Sequence, residues 1–329
     1  MRVTLSDVAR AVGVSAKTVS NVVNETGWVS DPVRQKVLEA IERLGYRPNI
    51  AARQLRNGRT GMVAFGIPNL REPYFAELSS EIVDQAKKSG VTVLVSQTGG
   101  SRKDEADFIA GVGFPSVDGL ILSPLALEKE DLESRAVKTP LVLVGEHGAS
   151  ISTKTSRHVG IDNVAAAREA TQFLLQRGHS RIAAVGVQKE GSTETSRLRY
   201  RGYLEALESA GIAFDHDLLG VVSDFNRAEG SRAIEGIIAN GSQFDAVFCF
   251  NDTMAFGALY SLALHGYRVP EDVEVMGFDD IDEGRYSIPP FSTVNARTDL
   301  TANIALEMLT KKTAGDGQHI DVPFEIIER

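Results

Sequence analysis

Residues 4–24 set two short amphipathic repeats on either side of a glycine-bearing turn, and no other stretch of the 329-residue chain restricts its fold so tightly. In the first repeat Leu5, Val8, Ala9 and Val12 recur at i, i+3, i+4 and i+7, one face of an α-helix. Thr4 stands at its N-cap with Asp7 three residues on, a variant of the capping box. After the turn at Gly13, Ser15 caps a second helix whose inward face is Val19, Val22 and Val23. Its outward face shows water Ala16, Lys17, Ser20, Asn21 and Asn24, small, polar and basic groups that suit insertion into a major groove. The pattern also fits any helix-turn-helix, or a small helical bundle used for protein contacts.

Ser30, Asp31 and Pro32 open a third helix, with Val33, Val37, Leu38, Ile41 and Leu44 expected along its core face and Gly45 as its stop. Pro48 and Asn49 then start a fourth helical stretch with Ala51, Ala52, Gln54, Leu55 and Arg56. It is barely two turns long, and an isolated helix that short is marginal in water. We therefore expect a hinge that folds only when something docks against it.

These motifs resemble the lactose-repressor family of bacterial transcription regulators. The matching strings are Thr4-Leu5-x-Asp7-Val8-Ala9, Gly13-Val14-Ser15-x-x-Thr18-Val19-Ser20, Gly45-Tyr46-x-Pro48-Asn49 and Ala52-Arg53-x-Leu55, in order and at the family's spacing. The resemblance implies a homodimer that places two recognition helices in successive major grooves of operator DNA. Paired hinge helices would push Leu55 into the minor groove, trading unstacking for a bent, more complementary duplex. On this reading the DNA contacts are Thr4, Ser15, Ala16, Lys17, Thr18, Ser20, Asn21, Asn24, Asn49, Ala52, Leu55 and Arg56. Asn21 stands where the family's type member has a guanine-reading arginine, and asparagine favours adenine, so a different operator is expected.

The charge distribution agrees. The whole chain carries −9, but residues 1–60 hold ten Lys/Arg against five Asp/Glu. A basic head on an acidic body lets the head meet phosphate while the body repels it. No run approaches the roughly 18 apolar residues of a membrane span, and no export signal is visible at the N-terminus. The single cysteine, Cys249, lies in an apolar run and reads as a packing thiol. A bacterial cytoplasmic location is expected, with no membrane partner and no metal or other cofactor.

From Gly61 onward apolar strand patterns alternate with amphipathic helices, as in parallel sheets with right-handed crossovers. About ten units exceed one comfortable sheet, so two Rossmann-like subdomains are expected. Their order resembles the type I periplasmic sugar-binding fold that serves as the family's sensor. The expected organisation is an all-α head over 1–47, a hinge and linker over 48–60, and an α/β ligand-sensing and dimerisation domain over 61–329. By resemblance its N-subdomain covers about 61–161 and 291–322, and its C-subdomain about 162–290 and 323–329.

Ligands in open α/β sheets sit beyond the carboxyl ends of the strands. That rule selects Asn69, Tyr74 and Phe75 after the first strand, Gln97 after the second and Ser123 after the third. Further on it selects Thr195, Arg199, Asp224, Phe225, Asn251 and Asp279. Polar groups among aromatic plates suit a sugar, whose hydroxyls donate and accept while its C–H faces lie on rings. The resemblance separately supports Arg199, Phe225, Asn251 and Asp279 as effector contacts. Against each stands a plainer role: Arg199 as an acid's partner, Tyr74 and Phe75 as lobe core.

Two departures bear on the effector. Many family members carry an aspartate at the end of the fourth strand, where this chain has Gly145 followed by Glu146. Either the acid stands one position later or the pocket lacks it. The purine-repressor branch has an arginine where Thr193 stands, which favours a sugar or glycoside inducer over a purine corepressor. The chain is thus expected to repress carbohydrate-utilisation genes and to leave a pseudo-palindromic operator when a small molecule shifts the lobe angle. A corepressor-dependent regulator is the alternative, and a sugar-binding protein without a DNA role is the rival from another class. An enzyme is not expected: the nearest dinucleotide string, at Gly111 and Gly113, lacks its third glycine, and the six histidines show no metal spacing.

Overall fold

The structure, a computed structural model, describes residues 3–46, 59–154, 156–189, 193–310 and 317–329, and it divides into Met1–Gly61 and Met62–Arg329. Asn49, Ala52, Leu55 and Arg56 of the expected hinge lie outside the described residues.

The head is three helices, α1 (Leu5–Val12), α2 (Ala16–Val23) and α3 (Asp31–Leu44). Thr4 and Asp7 complete the capping box: Asp7 N donates to Thr4 Oγ1 at 3.3 Å, and Thr4 N donates to Asp7 Oδ2 at 2.9 Å. Gly13, at φ 74°, ends α1 in the left-handed conformation that turns the chain into α2. Val8, Val19, Val22, Val37 and Ala40 form the core these turns allow. Leu38 departs from expectation at 46% exposed. The α3 stripe runs through Val37, Ala40, Ile41 and Leu44, so Leu38 falls outside a face that the small Ala40 fills.

The second unit holds two parallel sheets. The first has the order β11-β5-β4-β3-β1-β2 and the second β7-β6-β8-β9. First-lobe strands are β1 (Met62–Ile67), β2 (Thr92–Gln97), β3 (Gly119–Leu122), β4 (Leu141–Val144), β5 (Arg157–Gly160) and the late β11 (His319–Asp321). Second-lobe strands are β6 (Ile182–Val187), β7 (Leu219–Val221), β8 (Ala246–Cys249) and β9 (Glu274–Met276). The strands of β3, β4, β6, β8 and β9 are buried throughout, as expected where helices cover both faces of a parallel sheet. Cys249 is among them, wholly buried.

One boundary shifts. The crossing set at 290 falls after Ala296, because Phe291, Val294 and Ala296 pack in the second lobe's core. There β10 (Thr293–Asn295) pairs antiparallel with β12 (Glu325–Ile327) and bridges Asp279. The following helix, Thr298–Thr310, returns Ala302, Ala305 and Met308 to the first lobe's core. No helix among the described residues is long and apolar enough to cross a membrane.

Candidate ligand cleft and DNA-reading helix

On the head, Ser15 caps α2 by accepting from Thr18 N at 3.0 Å, and its hydroxyl lies 2.8 Å from that of Thr18. This fixes the direction of the helix and leaves Ala16 and Lys17 exposed. Asn24 turns inward at the other end, donating to Ser20 O at 2.7 Å and to Ser20 Oγ at 3.2 Å. Thr4 is likewise engaged in its cap, donating from Oγ1 to Asp7 Oδ2 at 2.6 Å. Ala16, Lys17 and the half-buried Asn21 therefore offer the least encumbered outward groups. After α2 the chain passes Glu25 and Gly27 in the left-handed region and presents Trp28 at 88% exposure.

In the second unit the carboxyl ends of both sheets face one cavity of about 190 Å3. β1 delivers Pro68 and Asn69, β3 Ser123, β4 Gly145 and Glu146, and β5 Gly160 and Ile161. From the other lobe β6 delivers Gln188, β7 Asp224 and Phe225, β8 Asn251, and β9 Asp279. Of the eleven residues selected from sequence, Asn69, Tyr74, Phe75, Ser123, Thr195, Arg199, Asp224, Phe225, Asn251 and Asp279 line this cavity. Gln97 does not. β2 is the edge strand, so its end lies aside from the cleft, and Gln97 Oε1 accepts from Leu70 N at 3.0 Å.

Arg199 and Asp279 form the buried centre. The helix Glu194–Ser209 starts where Thr193 caps it by accepting from Ser196 N. That start points Arg199 inward, with 6% of its surface exposed. Its Nε donates to Asn163 Oδ1 at 2.9 Å, Nη1 donates to Phe250 O, and its face lies 3.5 Å from the Phe278 ring centroid. Asp279 Oδ1 sits 3.7 Å from Nη1. Burial pushes the Asp279 carboxyl well above its ordinary range, with Arg199 opposing. Asp279 and Asp280 have φ of 114° and 57°, a conformation that costs non-glycine residues about 1–3 kcal/mol each. The bond from Asp279 N to Val294 O and the Asp280 pairs with Asn295 and Arg329 hold it.

Sequence reasoning missed Glu72, Asn163, Gln188 and Asn226, all of which line the cavity. Glu72 precedes the helix α4 (Pro73–Lys88) of the first lobe and accepts from Thr253 Oγ1, at 2.5 Å, on the second. Burial raises its carboxyl to about 6, against the lowering effect of that hydrogen bond. Asn251 caps the helix Asp252–Leu264 by accepting from Met254 N at 2.8 Å, which leaves its Nδ2 to face Glu72. The Tyr74 hydroxyl makes no hydrogen bond among the described residues, and burial raises its pKa. Half-buried rings and polar side chains in one crevice suit a polyhydroxylated ligand.

Two family models match the chain: "Bacterial regulatory proteins, lacI family" over residues 4–49 and "Periplasmic binding protein-like domain" over 171–329. The HTH-type transcriptional regulator DegA of Bacillus subtilis is 31% identical over 89% of this chain and 86% of its own. The HTH-type transcriptional repressor PurR of Vibrio atlanticus is 32% identical over 99% of this chain and 97% of its own. Among solved structures, that of the transcriptional regulator CelR with cellobiose is 29% identical, covers 100% of this chain and 99% of its own, and has a TM-score of 0.69.

Proposed function

This chain belongs to the lacI family of bacterial regulatory proteins, a transcriptional regulator and not an enzyme, and we propose that it represses carbohydrate-utilisation genes until a sugar or glycoside enters its cleft. The observation that carries this reading is the buried Arg199–Asp279 pair, set among Asn251, Tyr74, Phe75 and Phe225 at the ends of two facing sheets. Carboxylate, guanidinium and amide bind hydroxyls in pairs, and the rings take the C–H faces. A relative whose structure holds cellobiose supports a carbohydrate over other small molecules.

The head reads a pseudo-palindromic operator through Ala16, Lys17 and Asn21, and a homodimer supplies the second half-site. Phe256, Tyr260 and Leu264 repeat every fourth residue on one helix, with Tyr260 and Leu264 more than 60% exposed and Tyr286 and Ile288 at 76% and 96%. Exposed apolar side chains of this size are suited to a second copy. Inducer lowers operator affinity only by its difference in affinity for the two lobe arrangements. The test is a gel shift on palindromic operator DNA with each sugar that raises the melting temperature of the protein. Release by such a sugar is expected, and equal binding to random and palindromic duplexes at every sugar concentration would reject the reading.

A further inference from the structure

The charges around the cleft are unbalanced, and their partners show which charge is wanting. Four carboxylates line it, Glu72, Glu146, Asp224 and Asp279, against one lining cation among the described residues, Arg199. Arg199 is already engaged with Asn163, Phe250 O, the Phe278 ring and Asp279. Asp224 accepts from Phe225 N at 2.8 Å and from Asn226 Nδ2 at 3.1 Å. Glu72 accepts from Thr253 and Asn251, with the Arg227 charge nearby.

Glu146 differs from the other three. It makes no hydrogen bond or ion pair among the described residues, yet it lies close enough to Tyr74 and Asp279 to disfavour negative charge on both. Beside it Ser123 is 6% exposed, lines the same cavity, and its hydroxyl has no partner among the described residues. The two stand together because Gly145, at φ 83°, turns the chain away from β4 so closely that a Cβ there would lie 3.5 Å from Ser123 Oγ. The Ser123 hydroxyl and the Glu146 carboxylate thus face the cavity without a hydrogen-bond or ion-pair partner among the described residues, beside the Asp279 carboxyl that Arg199 already holds.

We propose that the effector carries an ammonium group, as an amino-substituted sugar does, and that Glu146 is the carboxylate that receives it. The inference rests on the carbohydrate reading above and adds the ligand's charge. An ammonium has three N–H donors and no acceptor, which matches the Glu146 carboxylate and the lone pairs of the Ser123 hydroxyl. A phosphorylated or carboxylated sugar meets four acids and one lining cation, Arg199, which already faces Asp279, so the balance of charge is against it. Burial raises the carboxyls of Glu72 and Asp279, a shift that a cation beside them would oppose.

Isothermal titration of the full-length protein tests this with glucose, galactose and mannose, each as the free sugar, the 2-amino sugar and the 6-phosphate. One amino sugar is expected to bind at least about tenfold more tightly than its neutral parent, with no binding by any phosphate. In Glu146→Gln the gap between that pair is expected to close to within about threefold, while circular dichroism confirms the fold. An amino sugar no tighter than its parent, a phosphate that binds best, or a gap unchanged in Glu146→Gln overturns the proposal and leaves the carbohydrate reading standing. Silence from all nine compounds removes both.

Discussion

Glu72 of one lobe and Thr253 of the other share a hydrogen bond of 2.5 Å across the cleft, although 181 residues separate them in sequence. A second carboxylate of the same region, Glu77, accepts from Asp282 N at 2.8 Å on the opposite lobe. Burial raises both acids. One helix end therefore holds the lobes at the angle seen here through two carboxylates that are reluctant to ionise.

This arrangement fixes the sign of a pH effect. Glu72 is raised from 4.5 to about 6, so the folded protein takes up its proton at a higher pH than the unfolded chain does. Its contribution to stability is fully present below about pH 4.5 and is lost as pH rises through about 6. Glu72→Gln lacks this titration. Its melting temperature is expected to rise relative to the unsubstituted protein by about 2–4 °C between those limits. A difference that stays flat across the window would remove Glu72 as a proton-linked contact.

The contrast between Glu72 and its neighbours explains what was legible in the sequence. Asn69, Ser123, Asn251 and Asp279 follow strands whose apolar runs are plain, and the strand-end rule carries them to the cleft. Glu72 sits in Arg71-Glu72-Pro73, which reads only as a helix start, and its partners are supplied by the opposite lobe. Asn163 is hidden for the same reason, since its bond is to Arg199. Gln97 misleads because the rule presumes a central strand, and strand order is not written in local periodicity. The head was legible almost to the residue because its caps are local: Thr4 with Asp7, and Ser15 with Thr18. Ser20 and Asn24 lie on the face expected to read DNA, but the bonds between them were not foreseen.

Asp279→Ala should separate sensing from DNA binding. The substitution removes the carboxylate facing Arg199 and leaves the head untouched. Operator affinity in a gel shift is expected to stay within about threefold, while release by effector is lost. Because it also strands a buried guanidinium, a stability cost of about 1–3 kcal/mol is expected in urea unfolding. Asp279→Asn, which keeps the volume, should lose sensing at a smaller stability cost. A normal effector response in both variants would take Asp279 out of the ligand contacts.

Asp252 is a purely structural carboxyl. It is fully buried, accepts from Thr293 Oγ1 at 2.6 Å and Ile281 N at 2.9 Å, and burial raises it to about 7. It thereby ties the helix Asp252–Leu264 to β10 and to the Asp279-Asp280 turn. Asp252→Ala leaves two buried donors unpaired, so a loss of about 2–4 kcal/mol is expected in urea unfolding. Gly277→Ala should act on the same bonds, since a Cβ there would lie 2.1 Å from Asp252 Oδ1. Near-neutral unfolding data for both variants would show that the tie carries no weight.

On the head, Gly27 and Trp28 allow a test that needs no effector. Gly27, at φ 68°, packs so closely under Asn21 that a Cβ would stand 2.9 Å from Asn21 Nδ2. Gly27→Ala must push that amide aside, at a backbone cost of about 1 kcal/mol. Trp28, the single tryptophan of the chain, is 88% exposed next to it and reports the surroundings of the loop. In the unsubstituted protein its emission is expected to shift to shorter wavelength when operator is added, as the ring leaves water. In Gly27→Ala the shift should require about tenfold more operator, because Asn21 no longer meets its base at the right angle. An identical titration in the two proteins would mean that Asn21 makes no base contact, and the head's specificity would then rest on Ala16 and Lys17.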